Sequence, residues 1–222
     1  FLIGGYLITT SWKSEPNIFI YTVKRVSRII PPLAVYGFLV TFVFGAFLSE
    51  LSLPEYYTHP VTWRYLANIR FQTEYFLPGV FTNNPYPNAV NGSLWTLPVE
   101  VAMYVIVPIV CIILGGLRSE RKAFCGAVSM VIVLCAFQIG HLLYFPEWRA
   151  VVYGTDIAQA FELIPFYFIG MLYTYPKMQK YLNLYVATLL LLLCSCIRFS
   201  LIESMIIMYV IFPYIVFSLL FA

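Results

Sequence analysis

The sequence predicts an all-α, polytopic transmembrane bundle. Three observations predict it: 61% of the 222 residues are hydrophobic, only 10% are charged, and the mean hydropathy is +0.84. A soluble domain carries about a quarter charged residues. An α-helix crosses a bilayer with about 20 apolar residues, and runs of that kind recur along the whole chain. The chain is therefore expected to form a single membrane-embedded domain over residues 1–222, with about seven spans.

The elements follow in order. Residues 1–10 read as the tail of a helix. SEPNIFIYTVKRVSRIIPP reads as an amphipathic helix at the membrane interface, capped by Ser14, with Glu15 and Pro16 in its first turn. Pro31-Pro32 marks a turn into a span at 31–49. Residues 50–92 form a long loop rich in Pro, Asn, Tyr and Trp, in which YLANIRF reads as a short interfacial helix. Its aromatics fit a headgroup-level belt or a platform on which sugars stack. Further spans are expected at 94–116, 123–145, 157–175, 181–197 and 204–222. The apolar ends, FLIGG and SLLFA, read as cut through helices, so the chain is expected to be a piece of a longer protein, truncated at both ends.

Alternating the spans separates the positive charge. Lys13, Lys24, Arg25, Arg28, Arg118, Arg121, Lys122, Lys177 and Lys180 fall on one side, and Arg64, Arg70, Arg149 and Arg198 on the other. The positive-inside rule puts the first group in the cytoplasm and the 50–92 loop outside, the topology of a multi-pass cell-membrane protein. The expected partner of this charge is anionic membrane lipid, with no nucleic acid. The five cysteines all fall inside apolar runs and read as small buried hydrophobes. Cys194 and Cys196 have no histidine or second pair nearby, so neither a metal nor a disulfide framework is expected.

Two spans carry chemistry. In NGSLWTLPVEVAMY, a helix starting near Ser93 places Ser93, Thr96, Glu100 and Tyr104 within a wedge of roughly 80°, with Trp95 pointing away. Glu100 then lies about 10 Å below the helix start, and an ionisable residue at such a depth is a functional candidate. Pro98 kinks the helix beside it. In TDIAQAFELIPFYFIGMLYTY, Asp156 lies at the outer mouth, Gln159 and Glu162 lie deeper, and Tyr167, Gly170 and Tyr173 continue the same broad face. Two readings fit that face. It is a packing surface on which Gly170 admits a neighbouring helix, or its glutamate shares a polar cavity with Glu100. His59 and His141 read as interfacial polar residues. Arg25 and Arg28 fit anionic lipid, or the phosphates of a nucleotide.

Several of these residues form a pattern. The chain resembles the acyltransferase family 3 membrane proteins, which transfer acyl groups to cell-surface sugars and related acceptors. The resemblance runs through Gly4-Gly5-Tyr6-Leu7-Ile8-Thr9, then Phe19, Arg25, Arg28, Ile29 and Pro31. It continues through Asn91, Ser93 to Trp95, Leu97, Glu100 and Met103-Tyr104, and ends at Phe166 to Gly170 and Tyr173. Gly4 stands where the family usually has Ser, and Met103 where it has Phe. The resemblance implies a bundle of about ten helices, of which this chain covers the middle two-thirds. It also implies a cytoplasmic acyl-CoA donor, with acetyl-CoA expected, no bound cofactor, and a carbohydrate acceptor in a bacterial inner membrane. On this reading Arg25 and Arg28 meet the donor's phosphates, and Ser93, Trp95 and Tyr104 contact substrate. Glu100 and Glu162 are the candidate catalytic carboxylates, Glu100 in support of a histidine on a preceding family helix that this chain lacks. A multi-pass transporter, with the same cavity passing a substrate, and a membrane interaction subunit are the alternatives.

Overall fold

The computed structural model describes residues 1–115, 119–197 and 199–221; Arg118 and Arg198, two of the charges sorted above, lie outside the described residues. The architecture is all-α apart from one small hairpin. In chain order come α1 (Leu2–Ser14) and α2 (Ile18–Leu39), which runs through a π-helical turn at Val40–Phe44 into α3 (Gly45–Leu48). The outer loop contributes α4 (Leu53–Thr58), α5 (Pro60–Arg64) and a 3₁₀ turn at Tyr65–Arg70. A second 3₁₀ turn, Gly92–Trp95, opens α6 (Thr96–Gly115), and α7 is Glu120–Tyr144. The hairpin strands are β1 (Val151–Val152) and β2 (Thr155–Asp156). Then follow α8 (Ile157–Leu172), α9 (Pro176–Gln179), α10 (Leu184–Cys196), α11 (Leu201–Ile206), a π-helical turn at Ile207–Ile211, and α12 (Phe212–Phe221).

Among the described residues four helical runs are long and apolar enough to cross a membrane: Ile18–Leu48, Gly92–Gly115, Glu120–Tyr144 and Glu203–Phe221. The expected count of seven spans is not reached on this measure. The 16 residues of α8 and 13 of α10 extend only about 24 and 20 Å, short of a hydrocarbon core about 30 Å thick.

A second difference concerns the expected turn at Pro31-Pro32. Both prolines lie inside α2, which continues straight through them into the span. The helix begins later than Ser14 because Asn17 is its cap, accepting from the backbone N–H groups of Phe19 and Ile20 at 3.0 and 3.2 Å. Ser14 instead ends α1, its hydroxyl donating to the Ser11 carbonyl at 3.0 Å. Proline removes an N–H and crowds a carbonyl, but helices in membranes tolerate it where neighbouring groups compensate.

The chain forms two compact units, Phe1–Pro16 with Met103–Trp148 and Phe161–Ala222, and Asn17–Ala102 with Arg149–Ala160. In the first, the core gathers Leu2, Ile169, Tyr173 and Phe217, with the Tyr173 and Phe217 rings stacked at 4.0 Å. Glycines let α1 and α8 meet at backbone distance. A Cβ on Gly170 would strike the Leu2 carbonyl, and one on Gly5 would lie 2.6 Å from Tyr167 Cα and strike its carbonyl. The packing reading of the α8 face therefore holds at Gly170.

In the second unit, the core is Val40, Tyr56, Tyr65, Leu77, Val80 and Leu94. The π-helical turn shapes it, because π geometry frees carbonyls that outside donors can reach. Tyr56 Oη donates to the Thr41 carbonyl and Tyr57 Oη to the Phe42 carbonyl, each at 2.8 Å. Trp63 Nε1 donates to the Tyr57 carbonyl at 2.8 Å. The loop that the sequence marks only by its turn residues is thus fastened to the span below it.

The hairpin adds a second fastening. Tyr153 and Gly154 both have positive φ, 52° and 75°, the backbone of a two-residue primed turn. Tyr75 Oη donates to the Gly154 carbonyl at 3.1 Å, and Thr155 Oγ1 to the Trp95 carbonyl at 2.8 Å.

Burial pushes the Tyr56 hydroxyl up to about 12. The folded chain therefore holds this proton more tightly than the unfolded one. The stability it lends is complete below the ordinary value of 10.0 and is lost as pH rises through the folded value. Proteolysis within residues 50–91 is expected to accelerate across that window in the native protein, and to lose this pH dependence in Tyr56→Phe. Equal acceleration in both proteins would place the weakness elsewhere.

Candidate functional site

The start of α6 is built by Asn91. Its Oδ1 accepts from the Ser93 backbone N–H at 3.0 Å and from Ser93 Oγ at 2.7 Å, the geometry of a helix cap. Its Nδ2 donates to Tyr36 Oη at 3.0 Å, and the Tyr36 and Tyr65 hydroxyls lie 2.9 Å apart. Burial, reinforced by the Tyr36 bond, holds the Tyr65 hydroxyl well above its ordinary value. A polar chain thus runs from the NGSLW turn to α2 and the outer loop. An Asn two residues before Ser93 is a cap signal visible in the sequence. Tyr36 and Tyr65, 29 residues apart, carry no local signal of their pairing.

The 3₁₀ turn alters the wheel drawn from the sequence, because α-helical rotation begins only at Thr96. Ser93 is exposed and turned to Asn91, while its carbonyl accepts from Thr96 Oγ1 at 2.9 Å. Trp95 is half-buried, its carbonyl held by Thr155. Thr96, Glu100 and Tyr104 then follow at steps of four along α6, the first two half-buried and Tyr104 buried.

The other expected site residues are placed as follows. Arg25 is half-buried on α2 with its guanidinium 5.2 Å from the Tyr21 ring centre, and Arg28, three residues on, is exposed. Glu162 is exposed on α8, and its backbone carbonyl accepts from Tyr209 Oη at 3.2 Å. Gln159 is exposed, and Asp156 pairs with Arg149 at 3.4 Å. Glu100 belongs to the second unit and Glu162 to the first.

The first unit holds two cavities that the sequence did not mark. One, of about 430 Å³, is walled by Phe137, Tyr144, Trp148 and Phe161. His141 lines it edge-on to Trp148, with both ring nitrogens buried and unpartnered among the described residues. The other, of about 280 Å³, lies where the ends of α1 and α6, the start of α7 and the segment after α8 meet. Lys13 lines it, Nζ donating to Thr174 Oγ1 at 2.8 Å and sitting 3.9 Å from the Tyr175 ring centre. Among the described residues no three metal-ligating side chains gather.

Burial holds the Lys13 ammonium below its ordinary 10.5, against the opposing pull of Cys111 and Glu120. The folded chain gives up this proton before the unfolded chain does. The charged form therefore costs stability below the lowered value, and the cost disappears as pH rises to 10.5. Lys13→Met is expected to raise the thermal midpoint at neutral pH and to lose that advantage at the alkaline end. A lower midpoint at neutral pH would show that the ammonium's contacts outweigh its desolvation.

Comparison with known proteins adds three findings. A family described as an acyltransferase domain matches residues 1–222. Over 107 residues the chain is 35% identical to a protein of Shigella phage Sf6 named O-acetyl transferase; the match covers 48% of this chain and 31% of that protein. No solved structure matches.

Proposed function

Because the chain belongs to the acyltransferase domain family, we propose that it is the membrane-embedded part of an O-acyltransferase that moves an acetyl group from acetyl-CoA to a hydroxyl of a cell-surface carbohydrate. The observation that carries this reading is the family match along the whole chain; the name of the phage relative supports the acetyl group. The proposed setting is a bacterial inner membrane, with Arg25, Arg28 and Lys13 on the cytoplasmic side and the 50–92 loop outside.

The acceptor hydroxyl must lose a proton as it attacks the thioester carbonyl, which requires a base beside that carbonyl. The thioester's acyl carbon bonds to the acceptor oxygen, the C–S bond breaks, and the thiol leaves with a proton. The base of this reading is a histidine on a preceding helix of the full-length protein. Glu100 orients it and stabilises its charged form. Thr96 and Tyr104 share the Glu100 face of α6 and are suited to hold the acceptor. Arg25 and Arg28, three residues apart on α2, offer guanidinium forks to the donor's phosphates.

Reconstituted proteoliposomes of the full-length protein, given acetyl-CoA labelled in the acetyl group, test this. Label is expected on externally supplied glycan acceptor, with release of coenzyme A. Arg28→Gln is expected to raise the KM for acetyl-CoA about tenfold at little change in kcat. Passage of substrate across the vesicle without acetyl-CoA turnover would replace this reading with the transporter.

A further inference from the structure

The Lys13 cavity combines one ammonium, one carboxylate and an apolar floor. Among the described residues no carboxylate lies within ion-pair distance of Lys13, whose contacts are a hydroxyl and a ring, while Glu120 lines the same cavity and favours the charged form at longer range. A second lysine, Lys177, lies beyond the cavity wall without lining it. Lys177 Nζ lies 5.6 Å from the Phe124 ring centre, and Phe124 meets the cavity-lining Tyr175 edge to face at 5.3 Å. Trp12, Leu114 and Met171 supply the apolar floor, and Glu120 is the acid at the start of α7.

Size selects among anionic ligands. A volume of about 280 Å³ lies at the lower edge of small-molecule sites, about 300 Å³ and upward. It is too small for a whole nucleotide-bearing donor and suited to one of its arms.

Resting on the acyl-CoA reading of the donor, we propose that this cavity takes the phosphorylated, amide-bearing chain that joins the nucleotide of acetyl-CoA to its thioester. Lys13 binds the phosphate of that chain and the apolar floor packs its methylenes. Lys13 is thus a donor-binding residue of the first unit. An ion-paired phosphate also removes the unfavourable desolvation of the ammonium, since an opposite charge at contact favours the charged form.

The test uses the full-length protein in lipid nanodiscs and four probes: acetyl-CoA, S-acetyl-4′-phosphopantetheine, S-acetylpantetheine and adenosine 3′,5′-bisphosphate. Lys13→Gln is expected to weaken the first two about tenfold and to leave the last two as in the native protein. Ala123→Leu narrows the same cavity without touching Lys13 and is expected to weaken S-acetylpantetheine as well. Cys111 lines the cavity and reports on it without any substitution. S-acetyl-4′-phosphopantetheine is expected to shield it from N-ethylmaleimide in zwitterionic nanodiscs. Shielding that appears only with anionic lipid, and without the probe, would assign the cavity to a lipid headgroup and overturn the proposal. So would unchanged affinities in both variants while native protein binds acetyl-CoA. Absence of acetyl-CoA binding by the native protein would instead remove the donor reading itself.

Discussion

Gly5→Ala is expected to leave little folded protein. An added methyl at Gly5 meets the carbonyl, carbonyl carbon and Cα of Tyr167, the last two at 2.6 Å, and backbone cannot rotate aside as a side chain would. The substitution gains about 1 kcal/mol of helix propensity, against about 1–3 kcal/mol for ordinary overpacking and more where the obstacle is main chain. The clash therefore decides the sign. Gly170→Ala meets the Leu2 carbonyl and the Tyr6 backbone nitrogen from the opposite helix, and the same outcome is expected. Gly140 on α7 supplies the control, since a Cβ there meets nothing within 4 Å. Gly140→Ala is expected to keep or slightly raise the thermal midpoint in detergent. A native midpoint for Gly5→Ala would mean that α1 and α8 do not approach as described.

Glu100→Gln is expected to lower acetyl transfer by the full-length protein about 100-fold or more, the range seen for loss of groups that assist proton transfer. The amide keeps the shape and hydrogen-bonding reach of the side chain, so α6 should form unchanged. On the proposed mechanism the substitution removes the carboxylate that stabilises a positively charged base. The fall is expected in kcat, with the KM for acetyl-CoA preserved, because the proposed mechanism assigns the donor's phosphates to other residues. Glu162→Gln sharpens the comparison: the exposed position of Glu162 gives it less hold on a buried reaction, and a smaller fall is expected. Transfer at the native rate by a folded Glu100→Gln protein would remove Glu100 from the mechanism.

The sequence was most legible where local rules govern. Apolar runs located the helices of the four long spans, and Gly170 was readable as a helix contact because a small residue on an aromatic face has few other uses. It was least legible where a distant partner overrides a local rule. Pro31-Pro32 reads as a turn, yet Asn17 and the continuing apolar face carry α2 past it. Ser93 reads as the first residue of an α-helix, yet its bond to Asn91 winds the chain into a 3₁₀ turn first. VVYGTD hides a hairpin because Tyr at a positive-φ position is uncommon and the strands are two residues long. Lys13 reads as one of nine interchangeable cytoplasmic charges; only the fold shows that it lines a cavity over Tyr175.

The Tyr153–Gly154 hairpin sets an order of assembly. Its bonds to Tyr75 and Trp95 span 79 and 60 residues of chain, so the 50–92 loop is synthesised long before the hairpin exists. Elongation proceeds from the N-terminus, and contacts between remote segments must wait for the later one. Until residues 151–156 have been made, the loop lacks the Tyr75 bond and rests on its bonds to α2, to the π-helical turn and to the Ser49–Glu50 segment. Nascent chains halted before the hairpin are therefore the ones in which a protease or chaperone finds this loop open, and the hairpin's arrival closes that interval.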